Sequence, residues 1–236
     1  MCRTWRIFFT NTYFYRVINF KPIATRLTFA TSEFFDFLIQ RCHHSVRLLD
    51  ISNLPHWPSS FTFPQFLKGL QCNQLTSLLA ENCFILDDES IQFICSTQQE
   101  IENVRLEGCY KLSDKGYGQL KNLPNLKNLS LRNIVAPIPK QILYDLLCSG
   151  KIEALEIVGL FTSPRISDIN QVAWDLPNVL LKTQLSNLKY LNVDLGFSTF
   201  HSWSNSLRIR FLKRLLSHLP AIEYFNRLME TRRTRV

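Results

Sequence analysis

A chain of 236 residues that is 46% hydrophobic and 19% charged can bury a core, which excludes a disordered chain and leaves one domain of ordinary to large size or two small ones. Seven glycines and ten prolines exclude a collagen-like or linker-dominated protein. No apolar run reaches the roughly 18 residues of a membrane span, so no membrane partner is expected.

The formal charge of +8 is unevenly spread. Arg3, Arg6, Arg16, Lys21 and Arg26 open the chain without an acid. Arg208, Arg210, Lys213, Arg214, Arg227, Arg232, Arg233 and Arg235 close it against Glu223 and Glu230. The middle is slightly acidic, a poor match for phosphate, so no nucleic-acid partner is expected.

Eight aromatics fall in the first 29 residues, too many for a flexible tail and suited to an apolar cap on a first repeat. The same acid-free, Arg-bearing start matches a mitochondrial transit peptide in charge but is poor in Ser and Ala. From residue 46 onward one pattern recurs, an apolar residue succeeded three and five positions later by two more. It reads Val46-Leu49-Ile51, Leu75-Leu78-Ala80, Ile101-Val104-Leu106, Leu126-Leu129-Leu131, Ile152-Leu155-Ile157 and Leu188-Leu191-Val193, with Ile222-Phe225 as a short final echo. The spacings are 29, 26, 25, 26, 36 and 34 residues. Alternating apolar residues place two side chains on one face of a short strand. Asp or Ser ahead of an apolar run with helical spacing, as at Ile91 and Ile94 or Tyr117, Leu120 and Leu123, caps a helix. Each unit is thus strand, loop and helix, and units of this kind bury their apolar faces only by stacking into one parallel sheet. The 36-residue spacing implies an insertion over 161–187, or a degenerate repeat around Val179.

The seven cysteines are odd in number, with no C-x-x-C pair, which argues against disulfides and a zinc ribbon. Cys83 and Cys109 fall where the chain turns off its strand and are expected to be packing groups. Cys42-His43-His44 cannot alone give an ion a tetrahedral shell, so no metal is expected. Asp87-Asp88-Glu89 suits a helix start. Gly116-Tyr117-Gly118 lacks the rest of a phosphate loop, and no nucleotide, nucleophile-elbow or zinc-protease motif is present. The expectation is a protein that is not an enzyme and uses no cofactor.

The repeats resemble those of leucine-rich-repeat proteins, and the middle is similar to their cysteine-containing subtype, with repeats of about 26 residues. Leu86-Asp87-Asp88, Leu112-Ser113-Asp114 and Ile166-Ser167-Asp168 echo that subtype's helix start. The resemblance covers about residues 46–225. It implies an α/β solenoid, a horseshoe with a parallel sheet on its concave face and helices on its convex face. Cys2-Arg3-x-Trp5-Arg6, then Phe14-Tyr15-Arg16-x-Ile18-x-Phe20, resembles the last third of an F-box and its link into repeats. Phe34 to Cys42 resembles the helix of a first, irregular repeat. The family's opening Leu-Pro-x-Glu helix is absent. Residues 1–22 are therefore expected to be a C-terminal F-box remnant and linker, with Cys2, Trp5 and Arg6 nearest the adaptor, the chain starting upstream or being a natural short form. Residues 23–236 are expected to form a leucine-rich-repeat domain of about seven repeats, capped by the basic tail.

That family implies a substrate-recognition subunit of a Skp–cullin–F-box ubiquitin ligase. Its partners would be a protein substrate and, where a full F-box lies upstream, the Skp adaptor and cullin scaffold. The chain would be a monomer in a hetero-complex, cytoplasmic or nuclear. The alternative is a non-ligase interaction scaffold, with mitochondria as an alternative location. The expected binding face gathers the outward strand residues Arg47, Ser77, Glu81, Asn103, Arg105, Glu107, Asn128, Ser130, Arg132, Glu156, Tyr190 and Asn192. Mixed charge of this kind favours a protein partner. The basic amphipathic stretch 207–219 allows membrane or nucleic-acid contact. It is more simply the last repeat's helix, since Leu219-Pro220 before Ile222 matches Leu123-Pro124 before Leu126. Thr234-Arg-Val236 fits the C-terminal form that PDZ domains bind.

Overall fold

The computed structural model describes residues 16–42, 44–57, 62–71, 73–134, 138, 140–148, 151–158, 179–183, 185–193 and 205–226. The chain forms two compact units, Met1–Leu126 and Lys127–Val236. In the first, strands β1 (Val17–Asn19), β2 (Leu48–Asp50), β3 (Ser77–Glu81) and β4 (Asn103–Glu107) alternate with helices α1 (Ser32–Cys42), α2 (Phe63–Leu70), α3 (Asp88–Thr97) and α4 (Asp114–Gln119). In the second, β5 (Asn128–Arg132), α5 (Lys140–Leu147), β6 (Ala154–Val158) and β7 (Tyr190–Val193) precede α6 (Asn205–Ser217) and β8 (Tyr224–Asn226). Both units are α/β, and within each the strands pair in parallel with their sequence neighbours.

Register obeys the repeat. Val17, Leu48, Ser77 and Asn103 stand side by side, and so do Ile18, Leu49, Leu78 and Val104 one position on. The second row is buried. Full burial of each such aliphatic side chain stabilises by about 1.5–3 kcal/mol, and it fixes the register because a one-residue slip would turn the row to solvent. Leu129, Leu155 and Leu191 form the matching buried row of the second unit. Its β6 pairs directly with β7, Ala154 beside Tyr190. No repeat strand therefore lies around Val179, where residues 179–182 are helical; the degenerate-repeat alternative is corrected. Residues 161–178 of the expected insertion lie outside the described residues.

The chain leaves its strands by one repeated device. Asn53, Asn82, Gly108 and Asn133 occupy equivalent positions and all have left-handed backbones, with φ of 59°, 48°, 57° and 49°. Asn and Gly tolerate that region best. The N–H of Asn53 donates to the carbonyl of Glu81, and that of Asn82 to the carbonyl of Glu107, each at 2.6 Å. The turn of one repeat thereby closes the strand end of the next. The residues just after the turn, Leu54, Cys83, Cys109 and Ile134, are buried.

The helices start as their sequences suggest. The Asp87 carboxylate accepts from the Ser90 N–H at 2.9 Å, and Ser113 caps α4. Thr62 and Gln65 form a reciprocal capping box on α2. Phe20, Phe35, Phe63 and Phe66 surround Trp57 at ring separations of 4.8–5.8 Å. Of the aromatic-rich start Phe20 alone joins this cluster, and residues 1–15 lie outside the described residues.

Candidate protein-binding face

The outward strand positions of the first unit form a grid. Its first row is Val17, Leu48, Ser77 and Asn103; its second is Asn19, Asp50, Leu79 and Arg105. At the strand ends Glu81 stands beside Glu107. Lys21, just past β1, reaches Glu81 with Nζ 3.0 Å from Oε2. The Arg105 guanidinium lies 2.9 Å from Glu81 Oε1 and 3.7 Å from Glu107 Oε2. A cation, a carboxylate, a second cation and a second carboxylate thus run in alternation across the face. Arg105 and Lys21 keep 40% and 45% of their side-chain surface in water, Glu81 and Glu107 22% and 18%. Pairs this exposed are each worth about 0–1 kcal/mol. Their contribution is to orient charge, which sets partner specificity and encounter rate more than affinity.

Neutral contacts stiffen the grid. The Asn103 amide donates to Ser77 Oγ at 3.0 Å. Asp50 is 7% exposed and accepts from the Ser52 N–H at 2.9 Å, while Ser52 Oγ accepts from the Glu81 N–H at 3.0 Å. Beyond the strand ends Phe84 and Tyr110, 42% and 51% exposed, stack at 4.9 Å.

In the second unit Glu156 is the hub. It accepts from Ser130 Oγ at 2.6 Å and from the Asn192 amide at 2.7 Å, and Arg132 Nε lies 4.0 Å from it. Asn128 is exposed and Tyr190 half-buried.

The structure puts every expected residue but Arg47 at an outward strand position, and Asn192 differs in its burial. Arg47 is not an outward strand position: β2 begins at Leu48, which takes that place, and the Arg47 guanidinium turns to Gln74 Oε1 at 3.2 Å. Asn192 lies in an outward row but is only 7% exposed, because it is drawn onto Glu156. Lys21 joins the face from outside the expected set. Its signal in the sequence is Ile18-Asn-Phe20, which repeats the apolar alternation of Leu49-Asp-Ile51 one repeat earlier. Cys2, Trp5 and Arg6 lie outside the described residues, as do Ile166-Ser167-Asp168 and the Thr234-Arg-Val236 tail.

Cys83 and Cys109 are buried, and burial pushes their thiols up to about 11 and about 12, the neighbouring Cys83 adding to the rise at Cys109. Cys109 Sγ donates to the Ala80 carbonyl at 3.3 Å. Neutral at pH 7 and packed under the turns, both are structural groups. His43 lies outside the described residues, and the His44 ring meets the Gln71 carbonyl at 3.1 Å. Among the described residues no cluster of His, Cys, Asp and Glu could hold a metal ion, and no helix is long and apolar enough to cross a membrane.

No family model matches the chain. It is 23% identical over 151 residues to a Caenorhabditis elegans protein named "Putative RNA-binding protein EEED8.10", a match covering 64% of this chain and 18% of that protein. Among solved structures it is similar to a chain of the crystal structure of the Rad7 and Elc1 complex in yeast. There the TM-score is 0.52 and the identity 15%, over 81% of this chain and 52% of that one. The chain thus spans about half the length of the solved chain and less than a fifth of the curated relative. At that identity the likeness is one of fold: helices packed on a parallel sheet.

Proposed function

We propose that the chain is a leucine-rich-repeat protein that holds a target protein on its strand face, as the substrate-recognition subunit of a Skp–cullin–F-box ubiquitin ligase. The observation that carries the recognition role is the alternating row Lys21, Glu81, Arg105 and Glu107, three of them at outward strand positions and Lys21 just past β1. Ordered, part-exposed charges beside an exposed aromatic pair suit a protein surface of complementary sequence. The order Cys2 to Phe20 supports the link to an F-box. The fold likeness to a chain crystallised as a complex with a second protein supports a role in assembly. The curated relative's name concerns RNA, but on this face Lys21 and Arg105 are already engaged by Glu81 and Glu107, which leaves little positive charge for a phosphate backbone.

The test is to tag the endogenous protein at its C-terminus and identify what co-purifies with it and with an Arg105→Glu variant. The proposal expects the Skp adaptor with both, and a target protein lost from the variant alone. Recovery of a stable partner set without the adaptor would replace the ligase role with the non-ligase scaffold. An unchanged partner set in the variant would remove the recognition role from this face.

A further inference from the structure

We propose that the outer face of α6 binds the phosphodiester backbone of a nucleic acid. The helix carries Arg208, Arg210, Lys213 and Arg214 and no acidic residue. Arg210, Lys213 and Arg214 are exposed. Their i, i+3, i+4 spacing puts them on one face, opposite the buried Leu215.

Among the described residues none of these three cations forms an ion pair with a carboxylate. Some cations elsewhere lean on acids: Lys21 and Arg105 on Glu81, Arg132 on Glu156, Lys189 on Glu153. The sequence around α6 offers little acid to neutralise them. Residues 194–204 contain only Asp194, and residues 218–236 contain Glu223 and Glu230 against Arg227, Arg232, Arg233 and Arg235. Exposed to solvent, the three cations can meet an anion carried by another molecule.

Several cations along one helix face suit a polymer of anions better than a single anion. A nucleic-acid strand carries a charge about every 3.4 Å, so two or three phosphates span this patch. Arginine supplies seven of the eight basic residues from 207 onward, and its planar fork matches phosphate oxygens. A membrane fits less well. An interfacial helix must offer its apolar side to lipid, whereas Leu215 here is buried; among the described side chains Ile209 and Leu216, 52% and 42% exposed, flank the basic face. The acidic middle that argues against nucleic acid elsewhere on the chain would hold the polymer to this end.

The test is fluorescence anisotropy of the full chain with labelled 20-mers of uridine, of thymidine and of a DNA duplex, between 50 and 200 mM KCl. Phosphatidylserine vesicles and polyglutamate serve as competitors. We expect salt-dependent binding to at least one oligonucleotide, with the tightest arm naming the nucleic acid. Arg210→Gln/Lys213→Gln/Arg214→Gln should reduce the slope of log K against log salt by about 2 for a single strand, at about 0.7 per phosphate contact. Arg210→Lys/Arg214→Lys should retain the slope, and Leu216→Ser should retain affinity, which separates the basic face from simple misfolding. Binding unchanged in the triple Gln variant overturns the proposal. So do displacement by vesicles or polyglutamate at equal charge concentration, loss of binding in Leu216→Ser, and no oligonucleotide binding at 50 mM KCl.

Discussion

Asp88→Ala should destabilise the first unit by about 2–3 kcal/mol through a contact that joins two repeats. Asp88 opens α3, yet its carboxylate serves the next helix. Oδ1 accepts the Ser113 N–H at 2.8 Å and Oδ2 accepts the Ser113 hydroxyl. Ser113 is the N-cap of α4, so the truncation loosens both helix starts. A hydrogen bond to a charged group is worth about 1.5–3 kcal/mol. The low end applies twice here because both residues are half-buried and water replaces part of what is lost. Gly116 supplies the control. A Cβ built there would collide with Asp88 Oδ1 and come within 3.0 Å of Leu112 Cδ2. Gly116→Ala alone should therefore displace Asp88 and cost about 2 kcal/mol, although alanine is otherwise favoured over glycine in a helix by about 1 kcal/mol. Once Asp88 is alanine the collision with its carboxylate is gone and only the end of the Leu112 side chain must give way, so the double variant should be no less stable than Asp88→Ala. Urea unfolding monitored by circular dichroism reads all four corners of this cycle. Additive losses, within about 0.5 kcal/mol, would refute the reasoning.

Gly108→Val should cost at least about 2 kcal/mol in urea unfolding, since a branched residue is placed at φ 57° with its Cβ 2.8 Å from Asn82 Oδ1; Gly108→Asn should cost clearly less. Phe66→Ala, at the centre of the aromatic cluster, should cost about 3–5 kcal/mol and lower the melting temperature by roughly 10 °C. Native iodoacetamide labelling at pH 8, read by mass spectrometry, should modify exposed Cys148 well before buried Cys83, Cys95 or Cys109; early loss of Cys109 would contradict its packing role. Those three buried thiols titrate at about 11 to about 12 against an ordinary 9.0, so the folded chain binds protons more tightly. Their contribution is complete below pH 9 and is lost as pH rises through 11 to 12, so urea midpoints should fall between pH 9 and pH 11.

What could be read from the sequence was what one repeat dictates by itself. The alternation in Leu129-Ser-Leu131 requires a two-faced strand, and Ser32–Cys42 and Asn205–Ser217 are helices where the expected repeat order needs them. What escaped depends on two repeats at once. Arg47 reads as outward because Val46 opens the apolar pattern, yet the pairing of Leu48 with Ser77 makes Leu48 the first outward residue. Asn192 occupies an outward row but is held by Glu156, 36 residues earlier in the chain. Asp88 reads as a simple helix-start acid and proves to hold Ser113, the cap of the next helix, 25 residues on. The left-handed residues Asn53, Asn82, Gly108 and Asn133 are visible as letters, but hydrophobic periodicity assigns those positions no weight. Once neighbouring strands are in register, the charges of the face cease to be independent. Lys21, reaching past one intervening strand, and Arg105, on the next strand, both close on Glu81, so a charge reversal at Glu81 should disturb partner binding by this face more than one at Lys21, whose loss leaves Arg105 in place.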